Sequence, residues 1–196
     1  MNRARHSIAV FALVAFGGCA TIADAPAPQH AFFERLRSLC GNAYRGRVIS
    51  SDSADRDFAG SRLVMHVRSC SADEIRIPFH VGDDQSRTWV ISRTGDGLRL
   101  KHDHRHEDGS EDVLTQYGGD SVAAGTAQRQ EFPADSHSRD LFLREANPQS
   151  VTNVWSVEVA PGETFVYELR RPNRFFRVEF DLTRPVAPPP PPWGAD

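Results

Sequence analysis

From residue 43 onward the chain alternates apolar and polar residues, and an antiparallel sheet with one dry face and one wet face is the structure that buries such a pattern. Over 174–182, Phe176, Val178, Phe180 and Leu182 fall on one side, with Arg177, Glu179 and Asp181 on the other. Over 151–159 the apolar side carries Val151, Trp155, Val157 and Val159, and over 164–170 it carries Phe165, Tyr167 and Leu169. Pro161-Gly162 and Pro172-Asn173 separate these three segments and have the chemistry of tight turns. The same reading predicts strands at 43–50, 61–70, 74–81, 87–93 and 98–106, with turns at Asp83-Asp84, 95–97 and Asp108-Gly109, and two further strands at 113–117 and 122–130.

Helical spacing is confined to two places. Residues 30–40 put Phe32, Phe33, Leu36, Leu39 and Cys40 on one face, and Gly41 is a natural stop. Residues 138–146 form a second short helix, with Ser138 expected as its N-cap and Asn147-Pro148 as its end. The pattern predicts one mainly β domain over 30–184. Its architecture is an antiparallel up-and-down β-barrel, or a β-sandwich, of roughly nine or ten strands with a short N-terminal helix.

The ends of the 196-residue chain differ from this body. Arg3 and Arg5 precede an unbroken apolar run, 8–16, and Gly17, Gly18 and Cys19 follow. A charged start, a short apolar stretch and small residues describe a secretory signal peptide. The FGGC that closes it resembles the lipobox of bacterial lipoproteins, although Phe16 stands where that family has Leu, Val or Ile. The resemblance implies that 1–18 are removed and that Cys19 carries the lipid, palmitate included, that anchors the protein to a membrane. Ala20 implies sorting to the outer membrane. Residues 19–29, with Pro26 and Pro28, read as a flexible tether. Residues 185–196, with Pro185 and five prolines at 188–192, read as a disordered polyproline tail, so eight of the 13 prolines lie outside the body.

The short helix followed by Leu39-Cys40-Gly41-Asn42-Ala43-Tyr44-Arg45-Gly46 resembles the start of lipocalin-like (calycin) barrels, with Ala43 in place of that family's Trp. The resemblance implies a barrel that holds a small apolar molecule or lipid inside.

A net charge of −3 argues against a nucleic-acid partner. Export places Cys40 and Cys70 in an oxidising compartment, where a structural disulfide is the expected pairing. A redox pair is disfavoured because the C-x-x-C spacing is missing. His102, His104 and His106 recur at every second residue, on the strand face that also carries Leu98 and Leu100. Two of the three, with a ligand from a neighbouring strand, form a candidate Zn or Cu site, for which His66 and His80 are the nearest suppliers. A polar-ligand site using His104 with Arg87 and Trp89, and a merely solvated ladder, are the competing readings. No catalytic residue is assigned: Gly119-Asp120-Ser121 has no partner block, and neither a P-loop nor a dinucleotide fingerprint is present. The function expected first is an envelope-anchored barrel binding a small molecule or lipid in its interior, without enzymatic activity. A metal-binding or metal-dependent protein, and a structural or interaction protein of the envelope, are the alternatives.

Overall fold

The computed structural model describes residues 27–195. The expected signal segment, Cys19 and most of the expected tether lie outside the described residues.

The chain forms one antiparallel sheet of 11 strands that curls into a nearly closed barrel. Helix α1 (Pro28–Arg37) comes first, with Pro28 in the first turn, where a missing N–H costs nothing. The strands are β1 (Ala43–Val48), β2 (Leu63–His66), β3 (Ser69–Cys70), β4 (Glu74–Val81), β5 (Asp84–Arg93), β6 (Leu98–His104), β7 (Tyr117–Asp120), β8 (Arg129–Pro133), β9 (Val154–Ala160), β10 (Thr164–Arg171) and β11 (Arg174–Val186). Short helix α2 (Arg56–Ala59) follows β1, and α3 (Ser136–Arg144) follows β8. Around the barrel the order is β7-β6-β5-β4-β2-β1-β11-β10-β9-β8, with β3 paired to β4 beside this path. Neighbours in space are neighbours in sequence, save that β11 returns to β1, which is the up-and-down arrangement.

The inward faces are the apolar faces of the alternation. Ile75, Ile77 and Phe79 of β4, Ile91 of β5, Leu98 and Leu100 of β6, and Phe165, Val178 and Phe180 of β10 and β11 are all buried. Helix α1 adds Phe32, Phe33 and Leu36 to this core. The Arg93 guanidinium at the end of β5 lies 4.1 Å over the Phe33 ring and bonds Glu34 at 2.7 Å. Helix α1 therefore plugs the end of the barrel where β5 finishes. The end where β5 begins is open.

Outward arginines face acids across the ladder. Arg47 is opposite Glu179, Arg99 opposite Asp120, Arg129 opposite Glu158 and Arg177 opposite Glu168, and each pair forms a salt bridge. Cross-strand pairs of this kind contribute about 0.2–1 kcal/mol each and pin the register. The disulfide joins Cys40 to Cys70 as expected, over a sequence separation of 30. It ties the helix exit to β3 and stabilises by about 3–4 kcal/mol in the chain-entropy account.

Three expectations need correction. The strands placed at 113–117 and 122–130 are found at Tyr117–Asp120 and Arg129–Pro133. Val113 and Val122, which suggested them, are exposed. Strand β7 has the sequence Tyr-Gly-Gly-Asp, and its glycines are poor strand formers chosen for another reason. A Cβ on Gly118 would collide with the Leu100 carbonyl, and one on Gly119 with the Pro133 carbonyl. The strand is bare on both sides because it fills the seam between β6 and β8.

The second correction concerns Ser138. Asp135 caps α3, accepting from Ser138 N at 2.8 Å, and the helix runs 136–144. The Ser138 hydroxyl turns to the seam instead, accepting from Gly118 N at 2.7 Å and donating to Gly118 O at 2.8 Å. Lys101, the sole lysine, reaches from β6 to Asp135 at 2.6 Å and latches the same junction.

The third is the Pro-rich end. Strand β11 runs on to Val186, in register with Ala43, and Trp193 N–H donates to Gln85 O at 3.2 Å. Residues 187–192 thus connect the edge of β1 to the start of β5 across the outside of the barrel. Outward-facing Ala43, Val64 and His80 are buried. Pro78, Thr88 and Asp103 share a groove with Pro192 and Trp193. Prolines suit such a strap, because a segment lying on a sheet face has no ladder partner for an N–H.

Candidate ligand-binding site

The open end holds a cavity of about 420 Å³. Its floor and walls are inward residues of five strands: Phe79, Trp89, Trp155, Tyr167 and Phe176, with His102 and His104 from β6. Phe79 stacks on Trp89 at 4.8 Å and Trp89 on Tyr167 at 4.4 Å, so a continuous aromatic band lines one side. Phe58 of α2 covers it, parallel to Phe79 at 6.3 Å and tilted against Phe176 at 5.2 Å. The other side is Tyr117 of β7, stacked on His102 at 4.6 Å, with Phe142 of α3 beside it at 5.3 Å.

The two histidines that alternation sent inward are held as neutral groups. The ring nitrogens of His102 contact Tyr117 O at 3.1 Å and the Tyr167 hydroxyl at 2.7 Å. A carbonyl only accepts, so Nδ1 carries the proton and donates to it. In the neutral ring Nε2 then accepts from the Tyr167 hydroxyl. Burial pushes the His102 pKa down to about 3, and nearby His104 adds to the effect. For His104 burial is again the largest cause, followed by Arg87, and its pKa falls to about 4. Its Nε2 meets the Tyr117 hydroxyl at 3.2 Å. Burial raises both tyrosines well above the ordinary phenol value, so they too stay neutral.

Three arginines rim the mouth, and their partners differ. Arg87 pairs with Asp84. Arg174 pairs with Asp52 at 3.3 Å and with buried Asp55. Among the described residues Arg171, the last inward residue of β10, bonds only neutral oxygens: Ser150 Oγ at 3.0 Å and Asn153 Oδ1 at 3.1 Å, both through one terminal nitrogen.

The structure brings Arg87, Trp89 and His104 to this one cavity. It does not bring the three ladder histidines together. Strand β6 ends at His104, and the chain then turns through Gly109 so that Arg105 bridges to Glu111. His106 is exposed, 4.0 Å from Asp112. His102 has both nitrogens engaged. His66 and His80 sit on the outer face, since β4 points Phe79 inward. The expected Zn or Cu site is therefore not assembled: among the described residues no group of three or more His, Cys, Asp or Glu is placed to hold a metal ion. Arg171, Arg174, Tyr117 and Trp155 were not singled out by the sequence reading. The spacing that marked Phe165, Tyr167 and Leu169 as inward reaches Arg171 at the next step, so the signal for it was present.

Fold and site define a nearly closed up-and-down β-barrel with an aromatic, partly cationic mouth. Compared with known proteins, the chain matches no family model, no curated protein and no solved structure.

Proposed function

We propose that the protein is an envelope-anchored β-barrel that binds a small molecule in its open end and catalyses no reaction. The observation that carries this reading is the cavity of about 420 Å³ between the aromatic band and the Tyr117–His104 pair, which lies within the size range of small-ligand pockets. Its histidines are neutral and hydrogen-bonded to tyrosines, which suits them to recognition more than to proton transfer near neutral pH. The lipobox-like FGGC supports attachment through Cys19. With several acyl chains, each buried CH₂ adding about 0.8 kcal/mol, the body would stay at the membrane surface.

Binding is tested with a neutral fluorescent probe, N-phenyl-1-naphthylamine. The purified protein is expected to enhance its emission through a single saturable site. Leu114→Arg puts a charge into the cavity from a loop and is expected to weaken the probe at least about tenfold, or ~1.4 kcal/mol. Non-saturable binding, or equal affinity in the variant, would remove the interior site. The anchor is tested by Cys19→Ala, which is expected to move the protein from the membrane fraction to the soluble fraction.

A further inference from the structure

We infer that the molecule held in the mouth is an organic carboxylate with an apolar body, and that Arg171 grips the carboxylate. This rests on the interior-binding reading above and names the ligand class of that site.

The three rim arginines are not equivalent. Arg174 is neutralised by Asp52 and Asp55, and Arg87 by Asp84, so these two offer little net charge to a ligand. Arg171 has no acidic partner among the described residues. Its two bonds go through one terminal nitrogen to Ser150 and Asn153, which leaves the other terminal nitrogen and Nε with donors to spare. A guanidinium presents these donors as a planar fork that matches the two oxygens of a carboxylate. Ser150 and Asn153 hold the fork in place, so little side-chain freedom is lost on binding. Burial and the neighbouring Arg174 both disfavour the Arg171 charge, and the charge of an incoming anion offsets them. The one carboxylate lining the cavity, Asp112, follows β6, four places round the barrel from β10 across the seam, and accepts from Leu114 N at 2.7 Å. The guanidinium with donors to spare is thus on the β10 side, away from Asp112, while Tyr167, Leu169 and Phe176 supply apolar surface just below it.

The test compares pyrenebutyrate with pyrenebutanol, which share the apolar body and differ in the ionised group. The wild-type protein is expected to bind the acid at least about tenfold more tightly at pH 7.5. Arg171→Met, which keeps the aliphatic stem, is expected to bring the two within about twofold and to leave the alcohol's affinity unchanged. Arg170→Met removes an outward arginine paired with Glu131 and is expected to keep the tenfold preference. Arg171→Lys keeps a charge but loses the fork, and should cut the preference about threefold or more; it replaces the methionine variant if circular dichroism shows that variant unfolded. Equal affinities in the wild type, or a preference that survives Arg171→Met, would overturn the inference while leaving interior binding standing. If neither probe binds, the interior-binding reading fails and the inference falls with it.

Discussion

Replacing Gly118 by alanine is expected to remove a large part of the protein's net stability. The new Cβ would collide with the Leu100 carbonyl, stand 2.8 Å from its carbon and 3.0 Å from Lys101 Cα, and force a φ of +154° on an alanine. All of these neighbours are backbone of β6, so no side chain can swing away to relieve the overlap. Strand β7 would have to leave the seam, giving up its pairing with β6 and both Ser138 bonds. The cost is of the order of 4 kcal/mol or more, in the class of backbone strain combined with lost buried hydrogen bonds. A chain of this size holds only about 5–15 kcal/mol of net stability. Thermal melts followed by near-ultraviolet circular dichroism should show Gly118→Ala melting at least about 10 °C below wild type. Gly95→Ala, where a Cβ meets nothing within 4 Å, should melt within about 0.5 kcal/mol of wild type. A normal melt for Gly118→Ala would mean that β7 does not close the barrel in this way.

Acid is expected to unfold the protein through its histidines before its carboxylates. His102 and His104 have folded pKa values of about 3 and 4, against an ordinary value of 6.5. The unfolded chain therefore takes up protons first as pH falls. The stabilisation is complete above about pH 6.5, declines as pH drops below it, and levels off only near the folded values. By pH 5 these two histidines should cost about 4 kcal/mol of stability. Burial lowers His80 and His66 as well, which adds to the loss in the same direction. Asp84, Asp120, Asp135 and Glu168 are held below their ordinary values by hydrogen bonds and arginine or lysine neighbours, so their contribution is lost at lower pH still. The window between pH 6.5 and 5 thus belongs to histidine. Urea midpoints at pH 7, 6 and 5 should fall steeply in the wild type and less steeply in His104→Gln. A flat midpoint over that window would contradict the buried, neutral histidines.

Much of the barrel was legible because alternation is a backbone property. A period of two names the inward face wherever the strand persists, and it placed Phe176, Val178 and Phe180, Leu98 and Leu100, and the pair His102 and His104 correctly. It failed at His106 because the strand ends at His104, and no local pattern distinguishes a polar strand from a polar turn that begins two residues earlier. Strand β7 was placed too early, at 113–117, for the opposite reason. Its two glycines look like a loop, and their value appears only once β6 and β8 press against them. Ser138 has the chemistry of a cap, and it took the folded seam to give its hydroxyl a better pair of partners. The prolines after Val186 make no local structure, so the sequence alone presents them as unpacked. The surface they cross is assembled from β1, β2, β4 and β5. Within the site, the neutral partners of Arg171 come from Ser150 and Asn153, 18 and more residues away, a separation at which single-chain periodicity carries no information.

Entry of a small molecule into the mouth of the barrel can be observed directly. The three tryptophans supply the measurement: Trp89 and Trp155 line the cavity, and Trp193 lies on the outer strap. In nitrogen-15 spectra of the indole N–H groups, titration with N-phenyl-1-naphthylamine should shift the Trp89 and Trp155 signals in a saturable way and leave Trp193 unmoved. Movement of Trp193 alone, or of none of the three, would contradict binding inside the barrel.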